Sequence, residues 1–199
     1  MSKRVLVNIR GCNGAGKSTI PMSMIDDKDM YVKYLKKDGK KVGAITVFPN
    51  YGWVALGTYY NKTGGLDTLK NNEATRKTLL YAIKNFPEYD ILMEGIMAST
   101  IRSTYVNLFH EVEEKYDNIQ VIVISILPPC EVAIARVYER NGGKPVNEEA
   151  IKAKWHMVER NVAAFDEEGF VSIRVDSSKI KKTAMLPAFL KTVKRWRSP

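Results

Sequence analysis

Residues Gly11-Cys-Asn-Gly-Ala-Gly-Lys-Ser-Thr19 carry the densest chemistry in the chain. They match G-x-x-x-x-G-K-[ST] at every fixed position. Gly11, Gly14 and Gly16 permit a tight turn whose successive N–H groups, those of Asn13 and Ala15 included, point into one concavity. A helix starting at Ser18 or Thr19 adds the positive end of its dipole. Lys17 supplies a mobile positive charge for β- and γ-phosphates, and the Ser18 hydroxyl is the expected Mg²⁺ ligand. The stretch therefore reads as a phosphate loop for a nucleoside triphosphate. A chance glycine-rich turn would not explain three glycines directly after the apolar run Val5, Leu6, Val7 and Ile9.

Two further groups fit phosphoryl transfer. Ile91-Leu-Met-Glu-Gly95 is a buried-strand pattern ending in a carboxylate. That is where such proteins place the acid that orients Mg²⁺ or a nucleophile, so Glu94 is a candidate metal ligand or base. Asp90, at the strand's start, belongs to the far edge of a parallel sheet, and Arg102 follows in a loop near the Glu94 edge. Arg136 and Arg140 are four residues apart and share a helix face. The Asn141-Gly-Gly-Lys-Pro145 loop follows them, so 136–147 reads as a lid whose arginines offset charge on the transferred group.

The elements that must position these groups can be traced along the chain. Pro21 is tolerated only near a helix start, so the helix after the loop is short, ending around Met24 to Asp29. Tyr31–Leu35, Val42–Phe48 and Trp53–Tyr59 are strand-like, and Asp38-Gly39 is a hairpin signal. They form an antiparallel meander over 31–60, inserted after the phosphate loop. Asn61 to Asp67, with adjacent Gly64 and Gly65, is a close-approach loop. Asn71 or Asn72 caps a helix carrying Arg76, Leu79, Leu80 and Ile83. Tyr105, Leu108, Phe109, Val112 and Tyr116 recur at helical spacing, and Val121–Leu127 is a central parallel strand stopped by Pro128-Pro129. Glu131–Arg140 is helical. Asn147 caps a further helix with the stripe Ile151, Trp155, Val158, Val162 and Phe165. Phe170–Val175 is the last strand, and a basic amphipathic helix with Leu186, Phe189, Leu190, Val193 and Trp196 follows. This order predicts one α/β domain over 1–199: a P-loop NTPase three-layer sandwich with a mainly parallel central sheet, an inserted antiparallel meander and a helical lid.

The chain has 199 residues and a formal net charge of +9. Lys179, Lys181, Lys182, Lys191, Lys194, Arg195 and Arg197 fall after Ser177 with no acid among them, which suits a polyanionic partner or a solvated face. Cys12 and Cys130 make no disulfide framework, and His110 and His156 have no metal-ligand company. No apolar run is long enough to span a membrane, and charged Lys3 and Arg4 lead directly into strand residues, so no signal peptide or membrane partner is expected. A reduced, cytoplasmic protein follows. The absence of Asn-Lys-x-Asp argues against a guanine-reading G-protein, and the layout favours a kinase over a motor.

Several stretches resemble the phage-encoded 5-hydroxymethyluracil DNA kinases. These are Tyr51-Gly-Trp-Val-Ala-Leu-Gly-Thr-Tyr59, Thr63-Gly-Gly-Leu-Asp67, Ile91-Leu-Met-Glu-Gly95, Arg136-Val-Tyr-Glu-Arg-Asn-Gly-Gly143, Lys154-Trp155 and Glu159-Arg160. The resemblance implies transfer of the γ-phosphate of ATP to the hydroxymethyl group of 5-hydroxymethyluracil in DNA, a step towards hypermodified thymines in the host cytoplasm. It implies that Gly11–Thr19 hold ATP, that Lys17, Asp67, Glu94, Arg136 and Arg140 act in transfer, and that Ser18 and Glu94 hold Mg²⁺. Tyr59, Thr63, Gly64, Gly65 and Asp67, with Arg76 and Arg102, are the expected acceptor-side residues.

A primary alcohol must lose its proton as it attacks, and either Asp67 or Glu94 can take it. The target nucleotide is expected to leave the stack, with Trp53, Tyr59 or Tyr60 available to stack on it. A free nucleoside or nucleoside-monophosphate kinase explains the loop and lid equally well but gives the basic C-terminal helix no purpose. A non-catalytic nucleotide-binding regulatory protein leaves the full set of Lys17, Ser18, Glu94, Arg136 and Arg140 unexplained.

Overall fold

Strand β1 (Arg4–Arg10) is buried along its whole length and runs into the phosphate loop. The structure is a computed structural model that describes residues 3–60 and 64–197. β1 lies between β5 (Asp90–Glu94) and β6 (Ile119–Ile126), parallel to both. With β2 (Tyr31–Lys37), β3 (Lys40–Phe48), β4 (Trp53–Leu56) and β7 (Val171–Val175), these form one sheet in the order β2-β3-β4-β5-β1-β6-β7. β4 to β7 are parallel with β1, and β3 and β2 are antiparallel additions at one edge. The meander therefore continues the central sheet instead of standing apart from it.

Side-chain alternation along the strands builds two core layers. Leu6, Ile91, Met93, Val121 and Val123 face one layer, and Val5, Val7, Ile9, Leu92, Ile122 and Ile124 face the other. The first layer is covered by α2 (Asn72–Asn85), α3 (Ile96–Thr100), α4 (Ser103–Lys115) and the Phe165 end of α6 (Glu148–Glu167). The second is covered by α1 (Thr19–Met22), α5 (Cys130–Arg140) and α7 (Met185–Lys194), which supplies Met185, Leu186, Phe189 and Val193. The result is the expected three-layer α/β sandwich. Asn71 and Asn147 cap α2 and α6 by accepting from Ala74 N–H and Ala150 N–H. The stripe from Ile151 to Phe165 is the packed face of α6, and His110 and His156 sit on α4 and α6. Among the described residues no helix is long and apolar enough to cross a membrane.

Several boundaries differ from the sequence expectation. α1 is a single turn ending at Met22, because Pro21 can sit only in a first turn. β4 stops at Leu56, where Gly57 takes φ 89°. The short α3 was not expected, since its five residues carry no helical apolar repeat.

Of the basic residues near the C-terminus, Lys179, Lys181, Lys182, Lys191, Lys194 and Arg195 are exposed, and Arg197 is placed against the fold. α7 begins near the phosphate loop, with Met185 3.9 Å from the position a Gly16 Cβ would take. It runs away from that edge, and Arg197 forms an ion pair with buried Asp90 at the start of β5, its guanidinium 5.3 Å from the Trp53 ring centroid. Arg197 is thus a fold contact at the sheet edge opposite the loop.

Candidate active site

The phosphate loop is seated from outside by α5. Gly14 has φ 80°, and a Cβ there would lie 2.1 Å from the Ala133 carbonyl oxygen. No side chain fits that conformation and contact at once. The loop is clamped at its crest: Ser177 Oγ donates to the Ala15 carbonyl at 2.8 Å, and Arg136 donates to Ser177 Oγ at 2.9 Å and to its carbonyl at 3.0 Å. Arg136 also reaches the Gly14 carbonyl at 3.5 Å. Thr19 opens α1 at the loop's end, its N–H donating to Gly16 O.

Lys17 is buried inside this loop and donates to the carbonyls of Gly11 at 2.9 Å and Cys12 at 3.0 Å. Burial lowers its pKa, and the carboxylate of Glu94 opposes that shift. Arg140, exposed at the end of α5, adds its positive charge to the same ammonium's surroundings. The side-chain oxygen of Asn13 is buried without a hydrogen-bond partner. A glycine-rich cradle with an inward ammonium fits the phosphates of a nucleotide.

Glu94 ends β5 and is 1% exposed. Its carboxylate accepts from Ser18 Oγ at 3.2 and 3.4 Å. Burial raises its pKa, Lys17 lowers it, and the nearby charge of Asp67 raises it further. A buried carboxylate beside a hydroxyl and a second acid is a hard oxygen donor set, the kind that takes Mg²⁺ together with phosphate oxygens.

The Gly-Gly-x-Asp loop lies directly on this carboxylate. Gly65 has φ 63°, and a Cβ there would fall 2.3 Å from the Glu94 carbonyl oxygen and 2.5 Å from Oε1. Thr68 closes the loop: its hydroxyl donates to the Gly65 carbonyl at 2.7 Å and accepts from Thr58 N–H at 3.0 Å. Asp67 accepts from Ile96 N–H at 3.0 and 3.1 Å, bracing the loop against α3 just beyond Glu94. Thr63, with Asn61 and Lys62, lies outside the described residues. Tyr59 is buried with its ring against Gly64. Its hydroxyl faces Glu94 without a standard hydrogen bond, and burial followed by the Glu94 charge holds it protonated.

The phosphate loop, Glu94 and Gly64-Gly65-Leu66-Asp67 thus meet at one sheet edge, and a family described as 5-hmdU DNA kinase matches residues 2–184. The chain belongs to the 5-hmdU DNA kinase family. It is 43% identical over 198 residues to the 5-hmdU DNA kinase of Bacillus phage SP10, covering 98% of this chain and 30% of that one. It is 32% identical over 155 residues to 5-hmdU DNA kinase 1 of Salmonella phage ViI, covering 77% of this chain and 67% of that one. The chain therefore spans about a third of the length of the SP10 relative. Among solved structures it is similar to the deoxyadenosine kinase of M. mycoides with bound dCTP, at 17% identity and a TM-score of 0.45, covering 95% of this chain and 98% of that one.

In this family member, the two outlying arginines expected at the acceptor have partners elsewhere. Arg76 on α2 pairs with Glu111 on α4, which also pairs with Lys115; the hydrogen bond from Arg76 draws the Glu111 carboxyl down to about 2. Arg102 pairs with Glu168, as does His110. Among the described residues neither guanidinium bonds to the phosphate loop or to Glu94. Trp53, like Tyr59, is core, packed on Phe189, whereas Tyr60 is 60% exposed.

Sequence reasoning did not single out Arg10, Ser99 or Ser177. Arg10 is fully buried with no carboxylate on it among the described residues, and desolvation brings its pKa down to about 9. It donates to the carbonyls of Ser99 and Ile101 at 2.9 and 3.1 Å and lies 4.4 Å from the Phe165 ring centroid. Ser99 Oγ accepts from Gly11 N–H at 3.1 Å and donates to Gly95 O at 2.7 Å. These bonds lock the start of the phosphate loop to the segment after Glu94. An arginine closing an apolar strand just before Gly11 was the available sign; Ser177 offers none.

Proposed function

We propose that this chain transfers the γ-phosphate of ATP to the hydroxymethyl oxygen of 5-hydroxymethyluracil in DNA, in the host cytoplasm, as one step of phage thymine hypermodification. The observation that supports it most is the seating of Gly65 on Glu94, which brings the acceptor-side loop and the phosphate loop to a single carboxylate.

The two carboxylates then have separate roles. Glu94 bonds to Ser18 and sits in the field of Lys17, so it belongs to the phosphate side, where it and Ser18 would hold Mg²⁺. Such an ion would supply positive charge against the β- and γ-phosphate oxygens. Asp67 is exposed on the acceptor loop and serves as the base: it takes the hydroxymethyl proton as that oxygen bonds to the γ-phosphorus, and ADP leaves. Lys17 turns from its two loop carbonyls to the transferred phosphate. Arg140 approaches with the 136–147 lid as water is excluded. Arg136 holds the loop in shape through Ser177. The target nucleotide is extruded at a cost of a few kcal/mol, with Tyr60 stacking on it.

Incubation with γ-labelled ATP and Mg²⁺, offering 5-hydroxymethyluracil DNA, thymine DNA or free nucleotides, tests this. Label is expected on the first substrate alone. Label confined to free nucleotides, or none anywhere, would overturn the reading.

A further inference from the structure

The hairpin β2–β3 turns through Asp38 (φ 50°) and Gly39 (φ 74°), the type I′ geometry of a two-residue loop. Its last rungs place Lys36 opposite Lys41 and Lys37 opposite Lys40. Like charges directly opposite on paired strands are destabilising. Among the described residues none of these four lysines has an ion pair; Lys41 instead lies 3.8 Å from the Tyr34 ring centroid. Residues 31–41 hold Lys33, Lys36, Lys37, Lys40 and Lys41 against a single acid, Asp38. Tyr31 and Tyr34 are 45% and 41% exposed on the same segment.

The hairpin's position gives this charge a use. β3 pairs with β4 through Ile45 and Leu56, and Gly57 N–H adds one more bond to Ala44 O. Beyond that bond Lys40 to Gly43 continue unsupported by β4, about 13 Å of strand. They project past the sheet edge that holds Gly57, Gly65 and Glu94. Gly43 anchors the base of this arm on α2, where a Cβ would meet Thr78 Oγ1 at 2.3 Å.

Edge strands often carry lysine to deter pairing with other chains. One lysine per rung would do that without setting like charges face to face, and exposed tyrosines work against it. Phosphates entering between the paired lysines remove the repulsion, and tyrosine faces accept unstacked bases.

We propose that the β2–β3 hairpin is a DNA arm, whose lysines 36, 37, 40 and 41 grip backbone phosphates beside the extruded nucleotide and whose Tyr34 packs against the same strand. This rests on the DNA-directed reading above and moves the DNA contact from the C-terminal helix to the hairpin.

The test is binding of a fluorescent 5-hydroxymethyluracil duplex across a salt series, with wild-type labelling of that duplex measured in parallel. In the variant K36Q/K37Q/K40Q/K41Q, Kd is expected to rise tenfold or more and the slope of log K against log salt to become shallower by about 2–4. Lys36→Glu separates binding from folding. It places opposite charges on the Lys41 rung, so the melting temperature holds or rises while affinity falls. An unchanged salt slope in both variants, with the wild type still labelling the duplex, overturns the arm and leaves the transfer reading standing. No labelling by the wild type overturns the transfer reading, and a shallower slope would still support the arm.

Discussion

The hydroxyl of Ser18 and the carboxylate of Glu94 are in direct contact, at 3.2 Å to one carboxylate oxygen and 3.4 Å to the other. Glu94 ends β5, and Ser18, 76 residues earlier in sequence, caps α1 at the far end of the loop that leaves β1. Pairing of β1 with β5 in register through Ile9 and Glu94, with both strands packed on both faces, fixes where that loop starts relative to the carboxylate.

Burying the Glu94 carboxylate, which the Ser18 bond offsets only in part, carries a cost in stability that a variant should release. Burial raises the Glu94 pKa above its unfolded value, so the folded protein binds the proton more tightly than the unfolded chain. Stability from this group is therefore greatest at acid pH and falls as pH rises from about 4.5 through the raised folded value. Glu94→Gln removes that fall. The variant should melt higher than wild type at pH 7, by about 2–4 °C per kcal/mol recovered. Transfer should drop by roughly 10²–10⁴. Melting curves across pH 4–8 check the sign; a variant that melts lower than wild type at pH 7 contradicts the buried-charge account.

The phosphate loop and the Glu94 strand were legible in sequence because each places special residues at fixed offsets beside an apolar run. The stripe of α6 and the asparagine caps were legible for the same reason: local periodicity and local hydrogen bonds suffice. Contacts that depend on two distant segments were not. Arg76 and Arg102 looked free until α2, α4 and α6 set Glu111 and Glu168 against them. The C-terminal charge looked like one surface, yet α7 carries Arg197 down to Asp90. Ser177 gains its role only when β7 delivers it to Ala15, 162 residues away in sequence.

Lys17→Met tests the loop without disturbing its walls. The ammonium is buried and, among the described residues, bonded only to loop carbonyls, and burial lowers its pKa. A lowered lysine pKa means that the unfolded chain binds the proton more tightly, so this group lowers stability at neutral pH and stops doing so as pH rises above the unfolded value near 10.5. Methionine fills a similar volume without the charge. The fold should be retained with equal or higher melting temperature at pH 7, and kcat should fall by roughly 10³ or more. Retained transfer would remove Lys17 from the mechanism.

Arg136 and Arg140 should separate cleanly. Arg136 holds Ser177 and Gly14, so Arg136→Ala leaves the Ala15 crest without its brace. It should lower the melting temperature and raise KM for ATP together, and Ser177→Ala should do the same in the same direction. Arg140 is exposed and, among the described residues, has no hydrogen bond or ion pair, yet it is close enough for its charge to act on Lys17. Arg140→Ala should leave the unfolding free energy within about 0.5 kcal/mol of wild type and lower kcat roughly tenfold or more. Single-turnover rates at saturating ATP distinguish the two. An Arg140→Ala enzyme with wild-type kcat would confine the lid reading to its backbone.

Arg197 closes the set, because charge alone makes it a DNA contact and geometry makes it a structural one. Asp90 is 7% exposed, accepts from Val5 N–H at 2.9 Å, and faces Arg197. Burial raises the Asp90 pKa, and Val5, Arg197 and Arg4 pull it back. Removing the guanidinium leaves a buried carboxylate with fewer partners, a loss of about 1–3 kcal/mol. The Arg197 side chain is 37% exposed, so solvent screening places the loss towards the lower end. Arg197→Gln should therefore melt lower by several degrees. Its DNA salt slope should match wild type, since Asp90 already neutralises the charge at the edge away from Glu94. A shallower slope with an unchanged melting temperature would return this arginine to the DNA surface.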